Sequence, residues 1–190
     1  MKHEIVVLGK EAFSGTYVLS LQVTEALTLA FGRFKKGKAI SVPKGDYLYI
    51  GSALGEAKRF ALARRLFRHA CRSNGKKPHA ILAPLLTDFK QIGLGTEKQL
   101  PAKEKKLFWN IDFLLDEMAV EINSVYAIRS EVRYESILAE RFQADSRTWI
   151  LEKGLGANDS PKHTHVLGFD SRFFQKADFI EKLHACMAHT

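Results

Sequence analysis

The sequence predicts an α/β protein with a small central antiparallel or mixed sheet flanked by helices. Three observations predict it. Residues 15–23 alternate and are rich in Tyr, Val and Leu, the pattern of a half-buried strand. A second strand pattern over 47–50 ends at Gly51. A 3.6-residue apolar period then runs over 56–72, as in an amphipathic helix.

Residues 27–34 and 39–42 predict two short strands joined at Lys35-Lys36-Gly37-Lys38, a polar turn with Gly where φ can be positive. Pro43-Lys44-Gly45-Asp46 is a further turn. On the 56–72 helix, Phe60, Leu62, Ala63, Leu66, Phe67 and Ala70 share one side. Lys58, Arg64, Arg65, Arg68 and Arg72 fall on the other, with His69 at the border, and Asn74-Gly75 stops the helix. Residues 76–106 read as an insertion within one domain spanning 1–190. A short helix over 80–86 is limited there by Pro84, Gly93, Gly95 and Pro101 mark loop, and Lys103, Lys105 and Lys106 make a charged end. Apolar residues over 107–118 have helical spacing. A strand over 124–128, a helix over 134–143, a Gly/Asn/Asp/Ser loop over 153–160 and a last strand over 165–169 follow. A closing helix over 173–187 carries Phe174, Ala177, Phe179, Ile180, Leu183 and Met187.

The length of 190 residues suits one domain with a substantial core. No apolar run approaches the ~20 residues of a membrane span. Residues 1–10 lack the apolar stretch of a secretory signal, so a cytoplasmic location is expected. Cys71 and Cys186 fit no metal-ligand spacing and read as two reduced thiols. The net charge of +8 suits a polyanionic partner, whose counterions are released as its phosphates are neutralised.

Three features together suggest chemistry. Gly15-Thr16-Tyr17 opens one strand; Tyr49-Ile50-Gly51, followed by Ser52-Ala53, ends another; Arg65 and His69 stand four apart on the next helix. Taken singly, each Tyr is explained by packing and Arg65 by solvation. Taken in order, two phenols from adjacent strands converge on a helix that presents a guanidinium and an imidazole. Phosphodiester hydrolysis needs such groups: an activated water, stabilisation of charge on a five-coordinate phosphorus, and a partner for the leaving group.

Gly15-Thr16-Tyr17 and Tyr49-Ile50-Gly51 resemble the two halves of the motif that defines the GIY-YIG nuclease superfamily, with Thr in place of Ile. The resemblance is closer to one compact branch, found alone or fused to DNA-repair enzymes. It extends through the segment from Pro43 to Ala53, the Ala63-to-His69 segment and Trp109-Asn110-Ile111-Asp112-Phe113-Leu114-Leu115. It continues through Glu135 ahead of Leu138-Ala139, the loop from Gly154 to Asp159, and His165. Asn110 stands where that branch has His, and Ser160 and Lys162 where it has Cys-x-Cys.

The resemblance implies a small sheet flanked by helices and a divalent-metal-dependent endonuclease acting on nucleic acid, DNA in preference to RNA. It implies that Tyr17 activates or orients the attacking water, with Tyr49 supporting it or contacting the phosphate. Arg65 would stabilise the transition state, and His69 would assist proton transfer or contact the phosphate. Glu135 would bind Mg²⁺ or Mn²⁺, with Asn110, Asp159 and His165 as possible support. Lys44, Lys58, Arg64, Arg68 and Arg72 are the expected nucleic-acid contacts. Glu140 competes with Glu135 as the ligand. Trp109 reads as core before it reads as a stacking platform, and His163 with His165 reads as structural before metal-binding. The rival functional reading is a nucleic-acid-binding module without turnover.

Overall fold

The computed structural model describes residues 3–9, 12–54, 59–156, 163–172 and 174–188. Its strands are β1 (Glu4–Leu8), β2 (Gly15–Val23), β3 (Leu27–Ala30), β4 (Ala39–Val42), β5 (Gly45–Ala53), β6 (Val120–Arg129), β7 (Thr148–Ile150) and β8 (Val166–Phe169). Its α-helices are α1 (Ala61–Ala70), α2 (Leu82–Gln91), α3 (Asn110–Leu115), α4 (Glu135–Gln143) and α5 (Lys176–Met187). Among the described residues no helix is long and apolar enough to cross a membrane.

Six strands form one mixed sheet in the order β1-β6-β2-β5-β8-β7, and β3 and β4 pair separately. Only β1 runs parallel to its neighbour, β6. The expected α/β class, with a mixed sheet flanked by helices, is the architecture observed. Successive residues of β2 and β5 point to opposite faces, and both faces are covered. Tyr17, Leu19, Leu21, Tyr47 and Tyr49 join a core under Leu62, Leu66 and Phe67 of α1, Leu85 and Phe89 of α2, and Ile111 and Leu114 of α3. Val18, Leu48 and Ile50 join a second core under Leu138 and Phe142 of α4 and Phe179 and Leu183 of α5.

Several expectations change. The strand expected over 27–34 stops at Ala30, and Phe34–Gly37 is a short 3₁₀ turn. The strand over 124–128 extends to Val120–Arg129. The apolar stretch 107–118 is helical only over Asn110–Leu115. Pro84 does not end the helix in 76–106, which continues to Gln91. It is the third helical residue, where an N–H would have no intrahelical acceptor, and Leu85 N still donates to Ile81 O at 3.0 Å. The insertion is also part of the core, because Ile81, Leu85, Phe89 and Leu94 are fully buried. Neither β1 nor β7 was expected. Cys71 and Cys186 are both free thiols.

The sheet has a notch beside β5. The β5–β8 ladder ends at Tyr49↔Val166, with one further bond from Ile50 N to His165 O at 2.9 Å. Gly51, Ser52 and Ala53 continue β5 beyond it, paired on the other side with β2.

Candidate active site

The glycines of the two strand motifs are required by close approach. Tyr17 lies opposite Gly51 in the β2–β5 register. A Cβ on Gly51 would sit 2.6 Å from Tyr17 Oη and 2.7 Å from its Cζ. A Cβ on Gly15 would sit 2.0 Å from Ile128 O. Gly51 thus leaves the space in which the Tyr17 ring lies flat on β5 and reaches α1.

There Tyr17 Oη meets His69 Nε2 at 2.8 Å, with both side chains fully buried. Burial drives His69 down to about 4, although Asp112 acts in the opposite direction. The imidazole is therefore neutral at neutral pH. Asp112 Oδ1 lies 3.7 Å from Nδ1, outside hydrogen-bonding distance. Its charge favours the tautomer protonated on Nδ1, which leaves Nε2 to accept from the Tyr17 hydroxyl. Burial raises both Tyr17 and Tyr49 well above the ordinary phenol range, so both are phenols at neutral pH.

In front of this pair is a polar cleft of about 670 Å³. Tyr49, Arg65, Phe108, Trp109 and Asn110 line it from the α1 side, and Ser52, Arg133, Glu135 and His165 from the α4 side. Tyr17 and His69 are not among its lining residues. The resemblance had Tyr17 act on water with Tyr49 in support; here Tyr49 faces the cleft and Tyr17 stands behind it, bound to His69.

Glu135 is the first residue of α4. Ser52 Oγ donates to its Oε2, and Arg133 approaches the same oxygen at 3.7 Å. His165 Nδ1 stands 3.0 Å from Oε1. That contact is close but not aligned as a hydrogen bond, and neither ring nitrogen of the buried His165 bonds another described residue. Burial alone would raise the Glu135 carboxyl; the polar contacts with His165 and Ser52 and the charge of Arg133 outweigh it and hold the carboxyl below its ordinary range. Glu140, the competing carboxylate, has a largely exposed side chain and lies 3.7 Å from His163, outside the cleft lining.

The Glu135–His165 pair fits one hydrated divalent cation. The imidazole has no aligned hydrogen bond among the described residues, and its one close polar contact is Glu135. Among the described residues no group of three or more His, Cys, Asp or Glu could hold an ion. Such a site would therefore rely on water and substrate oxygens, as Mg²⁺ and Mn²⁺ sites do.

The basic helix face differs from its sequence reading. Arg64 is exposed and Arg65 half-exposed, its Cζ 3.7 Å from the centre of the Trp109 ring. Arg68 is taken up by both Asp112 oxygens, at 2.7 and 2.9 Å, and by Lys106 O at 2.5 Å. Arg72 is buried, donating to Lys77 O, Val120 O and Glu121. Arg72 is thus a structural tie between α1 and β6, and the expectation that it binds nucleic acid is corrected. Lys105, read as part of a charged end, is buried and donates to Cys71 O at 2.8 Å. Lys44 is exposed at the far end of β5. It is eight residues from Ser52, about 26 Å along a strand, and does not join the cleft. Lys58 and Asp159 lie outside the described residues. Ser52, Arg133 and Phe108 were missed. Only Ser52 carried a signal, being the residue after Gly51 and so on the opposite face of β5.

Residues 16–188 match the family described as Domain of unknown function DUF123. The chain belongs to that family. The match includes every cleft residue named above, so the site of this DUF123 chain lies within the family region. No curated protein and no solved structure matches the chain.

Proposed function

We propose that the protein is a divalent-metal-dependent nuclease of the GIY-YIG type, hydrolysing phosphodiester bonds in nucleic acid, DNA in preference to RNA, in the cytoplasm. One observation carries the reading. Tyr49 and Arg65 from one face of the sheet, and Glu135 and His165 from the other, meet in a single polar cleft at the notch beside β5.

Glu135 and His165 would hold Mg²⁺ or Mn²⁺. When bound, the cation supplies charge neutralisation at the phosphate and lowers the pKa of a coordinated water. Arg65, oriented by Trp109, donates to the phosphate oxygens that gain charge as water attacks. Tyr49 positions that water through its hydroxyl. Tyr17, bonded to neutral His69, fixes the wall behind Tyr49. Arg133 and Arg64 extend the positive surface along the nucleic-acid backbone.

The test is cleavage of labelled flapped, branched and duplex DNAs by the full chain with Mg²⁺ or Mn²⁺, compared with Glu135→Gln. The expected result is metal-dependent cleavage that Glu135→Gln abolishes while DNA binding persists, because the amide keeps the shape but not the charge. Binding by the wild type without turnover on any substrate would favour the silent binding module. Unchanged cleavage in purified Glu135→Gln would refute the assignment of Glu135.

A further inference from the structure

Phe108 is the most exposed large apolar side chain among the described residues, at 75%, and it lines the cleft. Its exposure does not come from a loose backbone. Phe108 N and Trp109 N both donate to Asp112 Oδ2 at 2.9 Å, and Asp112 is itself clamped by Arg68. Arg68 also donates to Lys106 O, so 106–109 is tied at both ends. The Phe108 ring meets Trp109 edge-on, with centroids 5.4 Å apart and planes at 87°. A perpendicular contact covers at most one face of the phenyl ring, and at 75% exposure the other is open to solvent. Trp109 is already engaged by the guanidinium groups of Arg65 and Arg68, and Tyr49 is buried.

We propose that Phe108 is a stacking platform for an unpaired nucleobase beside the phosphate held in the cleft, so that the protein selects single-stranded or flapped DNA over continuous duplex. The proposal rests on the nucleic-acid reading above. Every base has a flat π face that an aromatic side chain can cover, but in a continuous duplex its neighbours already cover both faces. An aromatic ring held rigidly at the mouth of a cationic cleft therefore rewards a base that has left the stack. The surroundings fit a nucleotide better than a protein partner. Arg65 and Arg133 share the cleft with Phe108, whereas the other exposed large apolar residues, Ile92, Met118, Val132, Trp149 and Ile150, do not line it. A protein-binding hot spot would sit within a wider apolar patch.

The experiment measures binding of the full chain, with Ca²⁺ in place of Mg²⁺ to suppress cleavage, to single-stranded, flapped and fully paired DNAs of equal length. Each carries 2-aminopurine, whose fluorescence falls on stacking. Wild type, Phe108→Ala and Phe108→Trp are compared after thermal melts confirm equal folding, which the exposure of Phe108 favours. The expected result is tighter binding and quenching on single-stranded and flapped DNA. Phe108→Ala should weaken those two by roughly 5- to 150-fold and leave the duplex unchanged, while Phe108→Trp retains the preference. If Phe108→Ala binds all three DNAs as the wild type does, or weakens all three equally, the stacking role is wrong and the nucleic-acid reading survives. If the wild type binds none of them, the nucleic-acid reading fails and takes this proposal with it.

Discussion

Replacing Asp112 by Asn should unfold the support of the cleft at its strongest point. The Asp112 side chain is fully buried and faces only donors: Arg68 at 2.7 and 2.9 Å, Phe108 N and Trp109 N at 2.9 Å, and Lys105 Nζ at 3.8 Å. Burial would raise its carboxyl, but His69, Arg68 and Lys105 hold it far below the ordinary range, so it is ionised. An Asn side chain has nearly the same shape but must turn its NH₂ toward either Arg68 or the two backbone N–H groups. Lys105, 1% exposed at its side chain, also loses its nearest carboxylate. Breaking a buried ion pair from one side is worth about 3–5 kcal/mol. For a chain of 190 residues each kcal/mol shifts Tm by roughly 2–4 °C, so a fall of about 6–20 °C is expected. Urea denaturation with an unchanged m value would give the energy directly. A loss below about 1 kcal/mol, the range of an exposed pair, would refute the view that Asp112 is the buried anchor of Arg68, Lys105 and the 106–109 segment.

Gly51→Ala should destabilise the fold by about 1–3 kcal/mol and reduce any cleavage, because the added methyl meets the Tyr17 ring and drives Tyr17 from His69. Near-UV circular dichroism and a thermal melt would read it, and a wild-type spectrum and Tm would show that the close approach is unimportant. His69 predicts a pH dependence of stability. The folded chain holds it near 4 against an ordinary value near 6.5. Its contribution is fully present above about pH 6.5 and is lost as the pH falls toward 4, because the unfolded chain takes up a proton that the folded one refuses. The loss is about 3 kcal/mol at about 1.4 kcal/mol per unit. Denaturant titrations between pH 7 and 4.5 should show this slope in the wild type and a flatter one in His69→Gln. Equal slopes would mean that His69 charges freely in the folded state.

The sequence was most legible where the pattern is local. The strand expected over 15–23 is β2 as observed, and the 39–42 strand is β4. The apolar side of 56–72 matches the buried side of α1, with Leu62, Ala63, Leu66, Phe67 and Ala70 all buried. It was least legible where a partner is distant. Glu4–Leu8 is a short apolar run with no turn to a neighbour, and it becomes β1 only by pairing parallel with β6, more than a hundred residues on. Three-residue β7 exists only as an edge on β8. Pro84 reads as a helix breaker until its place in the first turn of α2 is known.

The same division runs through the site. Composition, alternation and the 3.6-residue period determined an α/β chain whose two Tyr-bearing strands and one Arg/His-bearing helix lie close together, since each pattern is set by covalent spacing along a few residues. Which of those groups faces substrate was decided only by tertiary structure. The helical period puts Arg64, Arg68 and Arg72 on one side, but not what lies across from them. Arg72 is consumed by Val120 and Glu121, 48 and 49 residues away, and Arg68 by Asp112, 44 residues away, which leaves Arg64 for solvent. Gly51, which reads as the end of a strand, lies within β5 and leaves the space for Tyr17. Glu135, Ser52 and His165 meet because the β5–β8 ladder ends at Tyr49 and leaves Gly51–Ala53 of β5 without a β8 neighbour. A buried charge must find its counter-charge and a buried donor its acceptor wherever the fold brings them, and no local periodicity records where that is.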